Sequence, residues 1–256
     1  MDKGLIEEQG TAPAAPRVKV EPCHKRVRAY LGGELVADTI NALYVWESPH
    51  YPTYYIPAGD VRAALVPSGA TEHSPSRGDA EVLDVRVPRA VAPGGAKRYP
   101  SPNVAALQGH VRLDWAAMDE WFEEDEPVYV HPRDPYTRVD ILHSSRHVEV
   151  RIDGTTVASS RSPRVLFETG LPARYYLPMT DVRLDLLTPT TTVTRCPYKG
   201  TASYWSFGEH ADVAWCYRAP LPESQKIAGL VAFYNERVEL VVDGVVQERP
   251  RSRRSG

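Results

Sequence analysis

The residues of this 256-residue chain whose chemistry is easiest to state lie in one short run of the sequence. Cys196 has Arg195 beside it and Lys199 three residues further on. Nearby cations stabilise a thiolate, which is the nucleophilic form of cysteine. Cys196 or Lys199 is therefore a candidate catalytic group, with Tyr198 and Glu223 as assisting groups. The alternative is a small core cysteine in a strand that is followed by a turn.

Aromatic side chains with polar tips are concentrated in the same part of the chain. Aromatic walls that carry a few charged or hydrogen-bonding groups are typical of pockets for small molecules. The predicted ligand-binding residues are Tyr175, Arg195, Tyr198, Lys199, Tyr204, Trp205, Trp215, Tyr217 and Tyr234. An ordinary hydrophobic core whose hydroxyl groups reach the rim accounts for these residues equally well.

Other groupings of reactive side chains have weaker support. A zinc site usually needs four ligands in close pairs, but Cys196 and Cys216 are 20 residues apart and His210 is the only nearby imidazole. A serine and an aspartate can be chosen around His210, yet no nucleophile-elbow motif supports such a triad. Glu168 could face a cavity with Glu223, but Glu168 has a counterpart in an earlier segment. We predict no metal site and no cofactor.

The elements that must position these residues come from two diverged copies of one domain of about 120 residues. Residues 26–66 align with residues 147–187 without a gap, and 12 of the 41 pairs are identical. Each copy begins with two alternating runs, joined by Gly32-Gly33 in the first and by Asp153-Gly154 in the second. This pattern predicts a β-hairpin, because both turn residues need positive φ.

A third hairpin is predicted around Asp243-Gly244, which makes two and a half repeats. We expect this third hairpin to occupy, in the second domain, the position that the hairpin at 148–159 could occupy beside the first domain. Residues 68–99 are rich in glycine, proline and serine and predict a loop. Short helices are predicted at 101–109, 114–125 and 221–229.

The resulting organisation has four parts: a disordered segment at 1–20, a first domain at 21–140, a second domain at 141–248 and a basic disordered tail at 249–256. The net charge is −3, so the chain has no overall basic character and we predict no nucleic-acid partner. No apolar run is long enough to span a membrane, and the first twenty residues lack the apolar core of a signal peptide. Three cysteines do not form a disulfide framework, so a reducing cytoplasm is the expected location.

Several phrases in the second copy are similar to those of a known family. They are Thr194-Arg-Cys-Pro-Tyr-Lys-Gly200, Ala202-Ser-Tyr-Trp205, Ala214-Trp-Cys-Tyr217, Pro222-Glu-Ser224 and Val231-Ala-Phe-Tyr234. The chain resembles the bacterial domain of unknown function 427 family, which sometimes carries a nucleotidyltransferase-like label. The linking phrase Val130-His-Pro-Arg-Asp-Pro-Tyr136 resembles tandem members of that family.

The resemblance implies a mainly β fold. Each copy would be a small curved antiparallel sheet, tent-like or barrel-like, with few short helices. It implies no established reaction, and the sequence has neither a glycine-rich phosphate loop nor a suitably spaced carboxylate pair for nucleotidyl transfer. The first copy has Pro75 opposite Cys196 at an offset of 121, which predicts a degenerate site there.

Three functional hypotheses follow from these observations. The first is a protein that binds a small organic molecule in an aromatic pocket of the second domain. The second is an enzyme that uses Cys196 or Lys199 on a small-molecule substrate. The third is a non-catalytic interaction module that could form a homodimer through exposed strand edges.

Overall fold

The computed structural model describes residues 18–250. The chain divides into two compact units, Met1–Val128 (unit 1) and Tyr129–Gly256 (unit 2). Residues 129–140, assigned from the sequence to the first domain, therefore belong to unit 2. The disorder predicted for the two ends falls mostly outside the described residues, although Lys19 and Val20 already lie in a strand.

The described residues of unit 1 form eleven antiparallel strands in two sheets. The strands are β1 (Lys19–Pro22), β2 (Val27–Leu31), β3 (Glu34–Thr39), β4 (Leu43–Trp46), β5 (Thr53–Pro57), β6 (Ala64–Ser74), β7 (Gly78–Val87), β8 (Ala90–Arg98), β9 (His110–Leu113), β10 (Glu120–Glu123) and β11 (Glu126–Val128). The seven-stranded sheet has the order β1-β4-β5-β9-β8-β7-β6, and the four-stranded sheet has the order β11-β10-β2-β3.

Unit 2 repeats this architecture strand for strand. The strands are β12 (Val139–His143), β13 (Val148–Ile152), β14 (Thr155–Ser160), β15 (Arg164–Glu168), β16 (Arg174–Leu177), β17 (Thr188–Cys196), β18 (Gly200–Phe207), β19 (His210–Tyr217), β20 (Val231–Phe233), β21 (Glu239–Val242) and β22 (Val245–Val246). The two sheets have the orders β12-β15-β16-β20-β19-β18-β17 and β14-β13-β21-β22. The predicted mainly β fold with two tandem copies is confirmed, but no sheet of the described residues closes into a barrel.

The prediction of a loop at residues 68–99 was wrong. Three long strands, β6, β7 and β8, run through this segment and pair with one another. The glycines and prolines that suggested a loop lie in the turns between these strands or at irregularities within them. The β6–β7 register shifts between Pro67 and Thr71, where Gly69 has a φ of 85°. Such residues mark bulges in a strand as readily as they mark a loop.

The helix predicted at 114–125 is also wrong. The segment contains one 3-10 turn, Trp115–Ala117, and then the hairpin of β10 and β11. This hairpin pairs with β2 in the same way that the hairpin of β21 and β22 pairs with β13. The third predicted hairpin is therefore real and lies in the sheet of unit 2, but its counterpart is 120–128 and not 148–159. The chain contains two complete repeats.

The other predicted helices are shorter than expected. Within the described part of the chain every helical segment is a 3-10 turn, including Ala105–Leu107 and Pro222–Ile227. Pro222 begins its turn as predicted, because a proline at the first position loses no hydrogen bond there.

Each unit has two hydrophobic clusters, one on either face of its seven-stranded sheet. The inner core packs that sheet against the four-stranded sheet, as Val150 and Val213 do in unit 2. The outer core covers the opposite face and contains Tyr55 and Tyr99 in unit 1 and Tyr176 and Tyr217 in unit 2. Neighbouring residues of a strand in the seven-stranded sheet point to opposite faces, as Trp215 (outer core) and Cys216 (inner core) do in β19.

Candidate functional site

The predicted catalytic lysine lies in a buried ion pair on the outer face of unit 2. The Nζ of Lys199 is 2.5 Å from Oε2 of Glu168, and the two side chains are only 10% and 11% exposed. Lys199 immediately precedes Gly200, whose φ of 96° is accessible at low cost only to glycine. The turn between β17 and β18 thereby directs the lysine onto β15, the strand that ends at Glu168.

Unit 1 contains a counterpart of this turn, which the sequence comparison missed. Ser74 pairs with Gly78 across the turn in the same way that Cys196 pairs with Gly200. The local offset between the copies is therefore 122 and not 121, so that Ser74-Pro-Ser-Arg-Gly78 corresponds to Cys196-Pro-Tyr-Lys-Gly200. Insertions and deletions of a few residues in the intervening loops concealed this correspondence.

The carboxylate and the cation are retained in unit 1 with different partners. Arg77, the counterpart of Lys199, lies 3.8 Å from Glu47, the counterpart of Glu168. Arg112 Nε donates to Glu47 at 3.1 Å, and the Tyr55 hydroxyl donates to the same oxygen at 2.7 Å. The Nε of Arg77 also donates to the Tyr99 hydroxyl at 3.0 Å. An acidic residue held by a cation and surrounded by tyrosines is thus common to both units.

Cys196 lies at the edge of the outer core of unit 2, half-buried against its aromatic residues. The hydroxyl of Tyr217 is close enough for electrostatic interaction with Cys196 and Glu168. Burial raises the pKa of Tyr217 well above its ordinary value, and the charge of Glu168 adds to this effect. Within residues 18–250, Tyr217 forms no hydrogen bond through its hydroxyl, in contrast to its counterpart Tyr99 in unit 1.

Three of the predicted site residues point away from this pair. Arg195 is exposed on the other side of β17, where its guanidinium lies 5.2 Å from the ring centre of Tyr129. The Tyr198 hydroxyl accepts a hydrogen bond from the backbone of Asp134 at 2.8 Å. Glu223 is largely exposed and pairs with Arg133 at 3.1 Å. Arg195, one of the two cations expected to stabilise a Cys196 thiolate, is therefore directed elsewhere.

The predicted aromatic set is divided between the two faces of the sheet. Its outer-face members pack together, whereas Trp205 belongs to the inner core and Tyr175 packs at the edge of that core. The outer-face members are Tyr204, Trp215, Tyr217 and Tyr234, and the first three of these are no more than 7% exposed. These side chains pack together in the outer core.

The outer face also carries an aromatic pair that is flanked by an arginine. The rings of Trp215 and Tyr234 are 4.5 Å apart. Arg174 lies within 6 Å of both ring centres and forms two hydrogen bonds to Glu236, at 2.6 and 2.8 Å. The pKa of Glu236 is lowered because these hydrogen bonds outweigh its partial burial.

The described residues of unit 2 contain a surface pocket at the edge of the inner core, beside Tyr175. Its volume is about 190 Å³. It is lined by Pro172, Ala173, Tyr175, Asn235, Leu240, Gln247, Glu248 and Pro250. Tyr175 is the only predicted ligand-binding residue among them, and the sequence reasoning missed the other seven.

In unit 1 the corresponding space is filled by two indole rings. Trp121 corresponds to Leu240, because the two residues have the same place in the pairing of β10 with β2 and of β21 with β13. Trp115 corresponds to Asn235, because the residues that precede them form equivalent backbone hydrogen bonds. The rings of Trp115 and Trp121 stack at 4.8 Å with planes 5° apart, and both contact Tyr54, the counterpart of Tyr175. A comparison of the two copies at these positions is the signal that could have located the pocket from sequence.

The described residues hold neither a metal-binding cluster nor a membrane-spanning helix. Between residues 18 and 250 no group of three or more histidine, cysteine or acidic side chains is arranged to hold a metal ion. Within the same range no helix has the length and apolar character needed to cross a membrane.

Comparison with protein families matches the domain of unknown function DUF427 twice, at residues 19–124 and 140–244. The chain belongs to the DUF427 family. The two matches coincide with the two structural units, so this is a tandem DUF427 chain. No curated protein matches it.

Proposed function

We propose that unit 2 binds a small organic molecule in the pocket beside Tyr175. The observation that supports this most directly is the difference between the copies. Where unit 1 fills the end of its inner core with Trp115 and Trp121, unit 2 has Asn235 and Leu240 and a cavity of about 190 Å³. Apolar and aromatic walls with a few polar groups are the usual composition of a small-molecule site.

The size and charge of the pocket restrict the ligand. An engineered protein cavity of about 150 Å³ accepts benzene, so this pocket suits a molecule of one or two rings. It is well below the ~300 Å³ or more of sites for larger ligands. Glu248 is the one charged residue among the described residues that line it. A nucleotide or another phosphate-bearing molecule therefore has neither the space nor a cation to bind.

Native mass spectrometry of the purified chain tests this proposal. We expect a mass in excess of the polypeptide that is lost on denaturation. Leu240→Trp restores the side chain that fills the site in unit 1 and should abolish the excess mass. Leu142→Trp is the matched control, because Leu142 is 54% exposed and lies away from the pocket lining. Retention of the excess mass by Leu240→Trp would refute the site.

A second candidate function is thiol chemistry at Cys196. The observation in its favour is the half-buried thiol beside the Glu168–Lys199 pair and the unpaired hydroxyl of Tyr217. The arrangement is weaker than the sequence suggested, because Lys199 is engaged by Glu168 and Arg195 points away. Selective labelling of Cys196 by iodoacetamide within minutes near neutral pH, lost in Lys199→Met, would support it. Labelling at the rate of an ordinary thiol would oppose it.

We also propose a cytoplasmic location and a function without nucleic acid. All three cysteines are free, which agrees with a reducing compartment. Fractionation of cells that express the chain tests the location. β17 is an edge strand of its sheet, so we also propose that two chains associate by strand pairing there, and sedimentation velocity tests this.

A further inference from the structure

We infer that the molecule bound beside Tyr175 is flat, the size of an indole, and carries one N–H donor. This inference rests on the proposed function and adds the chemical class of the ligand. It comes from the duplication, because unit 1 supplies from its own side chains what unit 2 lacks at the same place in the fold.

The packing in unit 1 defines the shape of the ligand. The indole of Trp121 stacks face to face on Trp115 and lies 5.7 Å from the ring centre of Tyr54. Only 3% of Trp121 is exposed, so the ring is enclosed by the fold. In unit 2 the tyrosine is retained as Tyr175, while Leu240 replaces the indole. A planar aromatic molecule entering there recovers the ring contact and removes apolar surface from water.

The hydrogen bonding in unit 1 defines the polar group. Nε1 of Trp121 donates to the backbone carbonyl of Trp115 at 3.2 Å. The corresponding carbonyl in unit 2 belongs to Asn235, and no described residue donates a hydrogen bond to it. The Asn235 side chain is held by a bond from its Nδ2 to the carbonyl of Ala173 at 2.8 Å. The local backbone is thus fixed, and its acceptor is available to an N–H of a ligand.

The two copies therefore differ in how the end of the inner core is completed. Unit 1 completes it with a side chain of the protein. Unit 2 completes it with a ligand that copies the ring and the donor of Trp121.

Isothermal titration calorimetry with indole and 1-methylindole tests this inference on the full chain. We expect indole to bind with one site per chain and 1-methylindole about 3- to 10-fold more weakly, since it lacks the N–H. Leu240→Trp should abolish binding, as should Asn235→Trp if the first variant fails to fold. Leu142→Trp should bind indole normally.

The outcomes separate this inference from the proposed function. If the excess mass in native spectra is lost in Leu240→Trp but indole does not bind, the pocket is real and the ligand class is wrong. Equal affinities for indole and 1-methylindole would overturn the assignment of the N–H donor. If neither indole nor any excess mass is bound, both proposals fail.

Discussion

An acidic residue paired with a cation is the feature that the two copies share most clearly at the level of single residues. In unit 2 the cation is Lys199, and in unit 1 it is Arg77. Both precede a glycine with a φ near 96°, and both hold a long β-hairpin against a glutamate at the end of a neighbouring strand. Persistence of the pair through a change from arginine to lysine indicates that it anchors the hairpin in both units.

Lys199→Met should destabilise unit 2 because it leaves the Glu168 carboxylate buried without its partner. Loss of one member of a buried ion pair costs ~3 kcal/mol of unfolding free energy or more. The measurement is urea denaturation followed by circular dichroism. The double variant Lys199→Met with Glu168→Leu should recover most of the loss, since no charge then remains buried.

The control for this prediction is Arg183→Met, which breaks the exposed pair of Arg183 and Asp185. We expect little change there, because exposed ion pairs contribute little. An unaltered denaturation midpoint for Lys199→Met would show that the buried pair has no anchoring role.

At the level of elements, the alternating runs and the residue types at the turns predicted secondary structure reliably. The three hairpins with Gly-Gly or Asp-Gly turns were predicted at their correct places, because positive φ at both turn residues is a strong local constraint. Segments 68–99 and 114–125 were not predicted. Their structure depends on pairing with other strands, and this pairing tolerates Gly94 and Gly95 inside β8 and a bulky Trp121 in a short hairpin.

The candidate site could be predicted only in part for the same reason. Lys199, Cys196 and Tyr217 were recognised by residue type, and the fold does bring them together on one face. Glu223 was expected to assist Cys196 or Lys199 but pairs with Arg133. The partner of Lys199 is Glu168, which lies on a strand 31 residues earlier in the sequence. The pocket beside Tyr175 arises from two substitutions relative to unit 1, so residue type alone carried no signal for it.

Deletion of residues 238–256 should unfold unit 2. β21 pairs with β13, and Val238, Leu240 and Val242 are at least 94% buried in the inner core. Without them the four-stranded sheet of unit 2 loses two strands and one wall of the core. Limited proteolysis should degrade residues 129–237 while unit 1 remains resistant, because its sheets pair only within residues 19–128.

A chain that ends at Glu248 is the control, and we expect it to stay folded. If the chain without 238–256 kept a protected unit 2, the third hairpin would be an appendage and not an integral part of the repeat.

At the level of the whole molecule, buried tyrosines make stability sensitive to alkaline pH. Burial is the main cause that raises the pKa of Tyr54, Tyr55, Tyr176 and Tyr217 above the ordinary value near 10. The folded state therefore keeps these protons after the unfolded state would release them. The unfolding free energy should be unaffected by these groups below pH ~10 and fall as the pH rises above it.

The measurement is absorbance at 295 nm and circular dichroism along one alkaline titration. We expect exposed tyrosines to ionise first and the buried ones only together with loss of the circular dichroism signal. Gradual ionisation of all 14 tyrosines with the fold intact would contradict the burial of these hydroxyls.

An NMR titration of the ¹⁵N-labelled chain with indole identifies the face of unit 2 that receives a small molecule. We expect saturable shifts of the backbone amides of Tyr175, Asn235 and Leu240, which surround the pocket, and unchanged amides at Cys196 and Lys199. Shifts confined to 196–200, or none in unit 2, would contradict it.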